Sequence, residues 1–145
     1  KILNQKSIEK IIIHKKKVIV PHKYYLNTSV RNHYDLAIGN EYISKLLEIV
    51  NRSNNNEFIQ AFEISLSKTY LYPCNMLICN RMFFNEYCDF IFPFLFDHYD
   101  YYKIRNDKYY RIAGYLGELM TNAFIQYKKI KGIKFEELKI MHLNN

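Results

Sequence analysis

Glycine is scarce in this chain: four residues in 145, at Gly39, Gly114, Gly117 and Gly132. None of them forms a glycine-rich phosphate loop, which excludes the common nucleotide-cradling motifs. Cysteine is equally thin. Cys74, Cys79 and Cys88 stand at spacings of five and nine, which match no zinc pattern. An odd count without a signal-like segment fits reduced thiols in the cytoplasm, and buried structural thiols are the expectation. The histidines, His14, His22, His33, His98 and His142, are scattered, with no His-x-Glu or His-Glu-x-x-His arrangement. Tryptophan is absent. The longest apolar run, Phe90–Phe96, is interrupted by Pro93 and falls far short of the roughly 20 residues of a spanning helix. A soluble protein is therefore expected. There are no internal repeats and no linker, so residues 1–145 read as a single domain. The chain opens on Lys1 rather than Met, which fits a piece of a longer protein.

What is present is apolar, aromatic and basic. Hydrophobic residues make up 49%, ample for a core, and the aromatics are 14 Tyr and 10 Phe. Net charge is +7, with Lys runs at Lys15-Lys16-Lys17 and Lys128-Lys129-Ile-Lys131. Nucleic acid, anionic lipid or a phosphorylated small substrate suits such a surface, as does a plain solvated face. The Tyr and Phe residues interleave with Lys, as in a base-stacking platform. Yet they recur at helical spacing with Leu and Ile, which points to a core instead.

Periodicity gives a helix-rich α/β pattern. Ser7 caps a short helix through Ile13, and Lys17–Val20 reads as a strand buried on both faces and ended by Pro21. Helices follow over Asn27–Ile38, Glu41–Val50 and Glu57–Ser67, the last with Asn54 and Glu57 at capping-box spacing. Asn75–Cys79 reads as a second buried strand. A long helix over Arg81–Tyr102 carries Pro93, which should kink it. Asn106-Asp107 marks a loop. A last helix spans Lys108–Ile130, stopped by Gly132, and Ile133–Ile140 reads as a final strand.

Few constellations carry chemistry. Glu136-Glu137 and the Asp97, Asp100 pair lack any context for acid/base work and read as solvated. Glu118 differs: it lies in an apolar helix between Leu116 and Met120, one turn from Gly114 and one turn from Asn122. Arg111, seven residues earlier, falls on nearly the same side. Packing at the edge of the core accounts for both; so does a ligand site opened by the small glycines.

Two blocks go further. Asn75-Met76 precedes Phe84-Asn-Glu86-Tyr87-Cys88, and Arg111-Ile-Ala-Gly114-Tyr-Leu116-Gly-Glu118-Leu-Met-Thr-Asn122 follows. Together they resemble the later half of the DUF4422 family, regarded as bacterial glycosyltransferases of capsule, exopolysaccharide and lipopolysaccharide assembly. Ile8–His22 is similar to the family's helix, strand and Pro upstream. Leu119 stands where the family usually has Arg, and Pro73-Cys74 where an aromatic usually precedes Asn-Met. The resemblance implies the C-terminal, acceptor-side part of a GT-A-like fold with a few buried strands. The nucleotide-binding strands would lie in a half this chain lacks. It implies transfer of a sugar from a nucleotide donor, a UDP-sugar, to a glycan or lipid-linked acceptor. Glu118 would be catalytic or acceptor-orienting, with Asn75, Arg111 and Asn122 binding substrate. No Asp-x-Asp occurs, so the ligands of any divalent metal are not expected in this chain. The location implied is cytoplasmic, with peripheral association at the inner face of the membrane, and no nucleic acid is expected. The rivals are a non-catalytic fragment or interaction module and, behind it, a basic nucleic-acid-binding domain.

Overall fold

A computed structural model describes residues 18–102 and 109–139. The helix expected from Ser7, the basic run at Lys15–Lys17, the Asn106-Asp107 loop and the ends of the expected segments at Lys108 and Ile140 lie outside the described residues.

The first strand, β1 (Val18–Pro21), is buried along its length. It pairs in parallel with the last strand, β4 (Phe135–Leu138), in the register Val18↔Phe135 to Pro21↔Leu138. On its other side Ile19 exchanges two backbone hydrogen bonds with Ile78, at 2.9 and 3.0 Å. Val18 packs into the main core and Val20 clusters with Tyr72 and Ile125, so Val18-Ile19-Val20 has no exposed face, as the unbroken apolar run predicts. Pro21 sits where the strand ends, and the His22 N–H resumes bonding to the Leu138 carbonyl at 2.8 Å. A short antiparallel pair, β2 (Tyr24–Tyr25) and β3 (Tyr70–Leu71), forms the other sheet, with β2 exposed.

Between the strands run the helices. In α1 (Val30–Ile38) Ser29 is the cap, its hydroxyl accepting from the Asn32 N–H. Gly39, at φ +104, closes α1 and opens α2 (Asn40–Asn51). The positive φ is what calls for glycine here, since the nearest neighbour of an added Cβ, the Glu41 carboxylate at 2.7 Å, is the end of a flexible side chain that can swing away. Helix α3 (Asn56–Ser67) is capped by Asn55, which accepts from the Phe58 N–H at 3.1 Å, and not by Asn54 as its spacing suggested. Asn54 instead takes a left-handed turn at φ +54. Helix α4 (Arg81–Tyr102) matches its expected bounds and includes Pro93. Helix α5 (Tyr109–Ile130) ends in a Schellman closure: the Ile133 N–H reaches the Lys128 carbonyl and Gly132, at φ +82, reaches that of Lys129.

The core lies where α5 crosses α3 and α4. Phe58 of α3 meets Phe90 of α4 edge-on at 4.7 Å and Tyr127 of α5 at 5.7 Å. Phe124 packs with Phe83, Tyr87 and Phe90 at 5.5–5.6 Å. Edge-to-face and offset contacts of this kind add about 0.5–1.5 kcal/mol per pair beyond area burial. The helical spacing of the aromatics is therefore realised mainly as packing. Among the described residues no helix is long and apolar enough to cross a membrane.

One expected element is corrected. Asn75–Cys79 is not a strand. Cys74 and Asn75 both take left-handed backbone, at φ +71 and +50, and only Ile78 bridges to β1. Met76 and Ile78 remain 44% and 41% exposed, so the run lies on the surface instead of in a sheet. Cys74 is exposed too, against the expectation of a buried thiol; Cys79 and Cys88 are half-buried and free.

Candidate functional site

Helix α5 presents Gly114, Glu118, Thr121 and Asn122 to the turn at Pro73–Asn75. The turn is fastened first by Asn122. Its carboxamide oxygen accepts from the Tyr72 N–H at 2.7 Å, and its nitrogen donates to the Tyr72 carbonyl at 3.0 Å and the Glu118 carbonyl at 2.8 Å. Asn122 is buried, and all its contacts here are to the chain's own backbone. Such a two-way bond to one residue mimics a strand pairing and fixes the chain entering the turn.

Asn75 is fastened next. Its side-chain nitrogen approaches the Gly114 carbonyl at 3.4 Å, and its oxygen lies 3.0 Å from the Thr121 hydroxyl, which also meets the Tyr87 hydroxyl at 2.7 Å. A Cβ on Gly117 would stand 3.5 Å from Asn75, an ordinary contact, whereas one on Gly114 would meet nothing within 4 Å. The two glycines therefore do different things. Gly117 faces the turn with room for a methyl group, and Gly114 opens onto free space.

Glu118 is half-buried beside this turn. One carboxylate oxygen accepts from the Cys74 N–H at 2.5 Å and the other from the hydroxyl of Tyr34 on α1. Tyr34 is 1% exposed. Burial first, and then the bond to the Glu118 carboxylate, push its phenol far above the ordinary tyrosine range, so it stays a donor. Both bonds to Glu118 are charge-assisted, and they approach from elements distant in sequence, which fixes the carboxylate's direction.

Arg111, Gly114, Tyr115 and Glu118 line an open cleft of about 300 Å³. Arg111 is exposed, and among the described residues no ion pair joins it to Glu118. Tyr115 meets Tyr34 edge-on at 6.0 Å, forming the wall between cleft and core. The structure thus brings together Asn75, Glu118 and Asn122, and sets Arg111 on the same cleft one turn away from Gly114. Sequence reading missed Tyr34, the Cys74 backbone and Tyr115. Tyr115 lies inside the motif itself, but nothing in the sequence links Tyr34 to a residue 84 positions on. Among the described residues no group of three His, Cys, Asp or Glu side chains is placed to hold a metal ion.

Among solved structures the chain is similar to WbbM, a bifunctional glycosyltransferase in its apo form, with a TM-score of 0.79 at 18% identity. The match covers 94% of this chain and 25% of that one, so the chain spans about a quarter of that protein's length and shares the fold of that part. No curated protein matches the chain. The family described as a domain of unknown function, DUF4422, matches residues 1–129. This helix-rich chain belongs to the DUF4422 family.

Proposed function

We propose that residues 1–145 form a single domain, the C-terminal, acceptor-side part of a GT-A-like glycosyltransferase of bacterial surface polysaccharide assembly. One observation carries the reading. A carboxylate, Glu118, is held by two donors on an open cleft that an exposed arginine, Arg111, also lines. Sugar transfer needs an acceptor hydroxyl to lose its proton as the nucleotide departs, and a carboxylate suits that task. Among the described residues each Glu118 oxygen has one protein donor, which leaves a further lone pair for a substrate hydroxyl. Arg111 would offset the charge of a donor diphosphate. Asn75 would orient a sugar hydroxyl at the cleft's edge. Asn122, occupied by the backbone, would act on the site by holding Glu118's surroundings in place. The donor is a nucleotide sugar, in our reading a UDP-sugar, and the acceptor a growing glycan on a lipid carrier. Any divalent metal would take its ligands from outside this chain. The setting is the cytoplasmic side of the membrane, with peripheral association and no part for nucleic acid.

The test is Glu118→Gln in the longer polypeptide that carries the donor-binding half, assayed for turnover of UDP-sugars beside a thermal melt. Gln keeps the size but cannot take a proton at neutral pH. Turnover should fall on the order of 10²–10⁴-fold with a folded protein. Full turnover with a lowered Tm would make Glu118 a structural residue. That outcome favours the second reading, a non-catalytic module, which draws on the fact that both Glu118 oxygens already serve internal donors.

A further inference from the structure

A separate cluster lies at the far end of the same helix. Lys129 stands eleven residues along α5 from Glu118, about 16 Å at helical rise. Its ammonium group lies 4.7 Å from the centre of the Tyr72 ring and donates to that residue's hydroxyl at 2.6 Å. Lys23, beside β2, and Lys68, ahead of β3, both sit over the Tyr70 ring, at 5.0 and 5.2 Å. Three lysines from three parts of the chain therefore converge on two neighbouring rings.

Their neutralisation is incomplete. Lys23 pairs with Glu137 at 3.0 Å, and Glu137 also accepts from the Tyr72 hydroxyl at 3.0 Å. Among the described residues Lys68 donates to the Gln126 carboxamide, a neutral group. Among the described residues neither Lys68 nor Lys129 has a carboxylate partner. Both are half-buried. Burial first, and then the neighbouring cations, hold both ammonium groups below the usual lysine range. A fold gains nothing from gathering partly desolvated like charges, since each opposes the others and has lost part of its water. An anion placed among them would reverse that cost. Cation–π contact with the rings fixes the ammonium groups without consuming their charge.

We infer that Lys23, Lys68 and Lys129 form a binding site for a phosphate or diphosphate group, walled by the Tyr70 and Tyr72 rings. The site goes beyond the glycosyltransferase reading and does not depend on Glu118. The experiment compares the parent chain with the Lys68→Gln/Lys129→Gln double variant. Titration calorimetry with inorganic pyrophosphate should show saturable binding that the double variant weakens at least about tenfold, the effect of losing two charge-assisted bonds. Sedimentation with phosphatidylglycerol vesicles, against phosphatidylcholine vesicles, decides whether a lipid headgroup supplies the phosphate. Loss of either binding in the variant supports the site. Without added anion the variant's Tm should equal or exceed the parent's, because Gln keeps a donor and removes the repulsion. Parent chain that binds neither pyrophosphate nor anionic vesicles, or a variant that binds as tightly as the parent, overturns the proposal. Should the double variant not fold, Lys129→Gln alone supplies the same comparison.

Discussion

Removing the Tyr34 hydroxyl isolates the bond on which the geometry of Glu118 depends. Tyr34→Phe leaves the ring in place against Tyr115 and His33, at 6.0 and 5.3 Å, and deletes one donor to a carboxylate. A hydrogen bond to a charged group contributes about 1.5–3 kcal/mol. For a chain of this size 1 kcal/mol shifts Tm by roughly 2–4 °C, so the variant should melt roughly 3–12 °C lower. Glu118→Ala should cost a similar amount for a different reason. It strands the Tyr34 hydroxyl in the core, at about 1–3 kcal/mol, while water can reach the N–H of exposed Cys74. The two changes must therefore be strongly non-additive. In the Glu118→Ala background, Tyr34→Phe removes a hydroxyl that no longer has its acceptor, and should be neutral or stabilising. Urea unfolding of the parent, both single variants and the double variant gives the coupling directly, expected at about 1.5–3 kcal/mol. If Tyr34→Phe costs the same in both backgrounds, the bond does not hold Glu118 and the account of the site fails.

Two further outcomes follow from single residues. Gly114→Ala meets no neighbour and replaces glycine within a helix, so it should stabilise the chain by about 0.5–1 kcal/mol; a lower urea midpoint would show that Gly114 does not face open space. His98 is fully buried, its Nε2–H donating to the Tyr42 carbonyl at 2.8 Å, and burial holds its imidazole below the ordinary histidine range. Below the unfolded value of about 6.5 the unfolded chain takes the proton first, so stability is complete above that pH and falls as pH drops through it. Melts from pH 8 to 5.5 should show this loss, and His98→Gln should flatten it; an unchanged slope would place the acid sensitivity elsewhere.

The helices were legible because their signals are repeated. In α4, Phe83, Tyr87, Phe90, Ile91 and Phe94 pack into the core, and their intervals of three and four fall on one side of a helix but on both faces of a strand. The end of α5 was legible because Gly132 is the one residue there that takes φ +82 without strain. Where several residues can do the same job, the reading slipped. Asn54, Asn55 and Asn56 are all competent caps, and which of them caps α3 depends on where the first turn closes. Met76-Leu-Ile-Cys has the composition of a buried strand, but a four-residue apolar run does not reveal whether it has neighbours on both sides. Two left-handed residues just before it turn the chain outward, and neither is a glycine that would announce the turn.

The candidate site divides along the same line. Asn75, Glu118 and Asn122 were legible as a group because a family motif keeps them in order, and the structure joins them through the Tyr72–Asn75 segment. The donors that aim Glu118 were not, since one is a backbone N–H and the other a tyrosine on α1. The lysine cluster was hidden for a related reason. Lys128 and Lys129 are adjacent in a basic run that reads as a solvated end, yet their side chains separate. Lys128 is buried against the Phe124 ring and paired with Glu86, whereas Lys129 turns to Tyr72. Adjacent helical positions point about 100° apart, so a run of like charges along a sequence need not be a patch in space. What makes the patch is the β2–β3 pairing. It sets Lys23 and Lys68 over the Tyr70 ring, while α5 brings Lys129 over the neighbouring Tyr72 ring. The positive charge that counts is therefore assembled by topology from lysines that are single or unremarkable in the sequence.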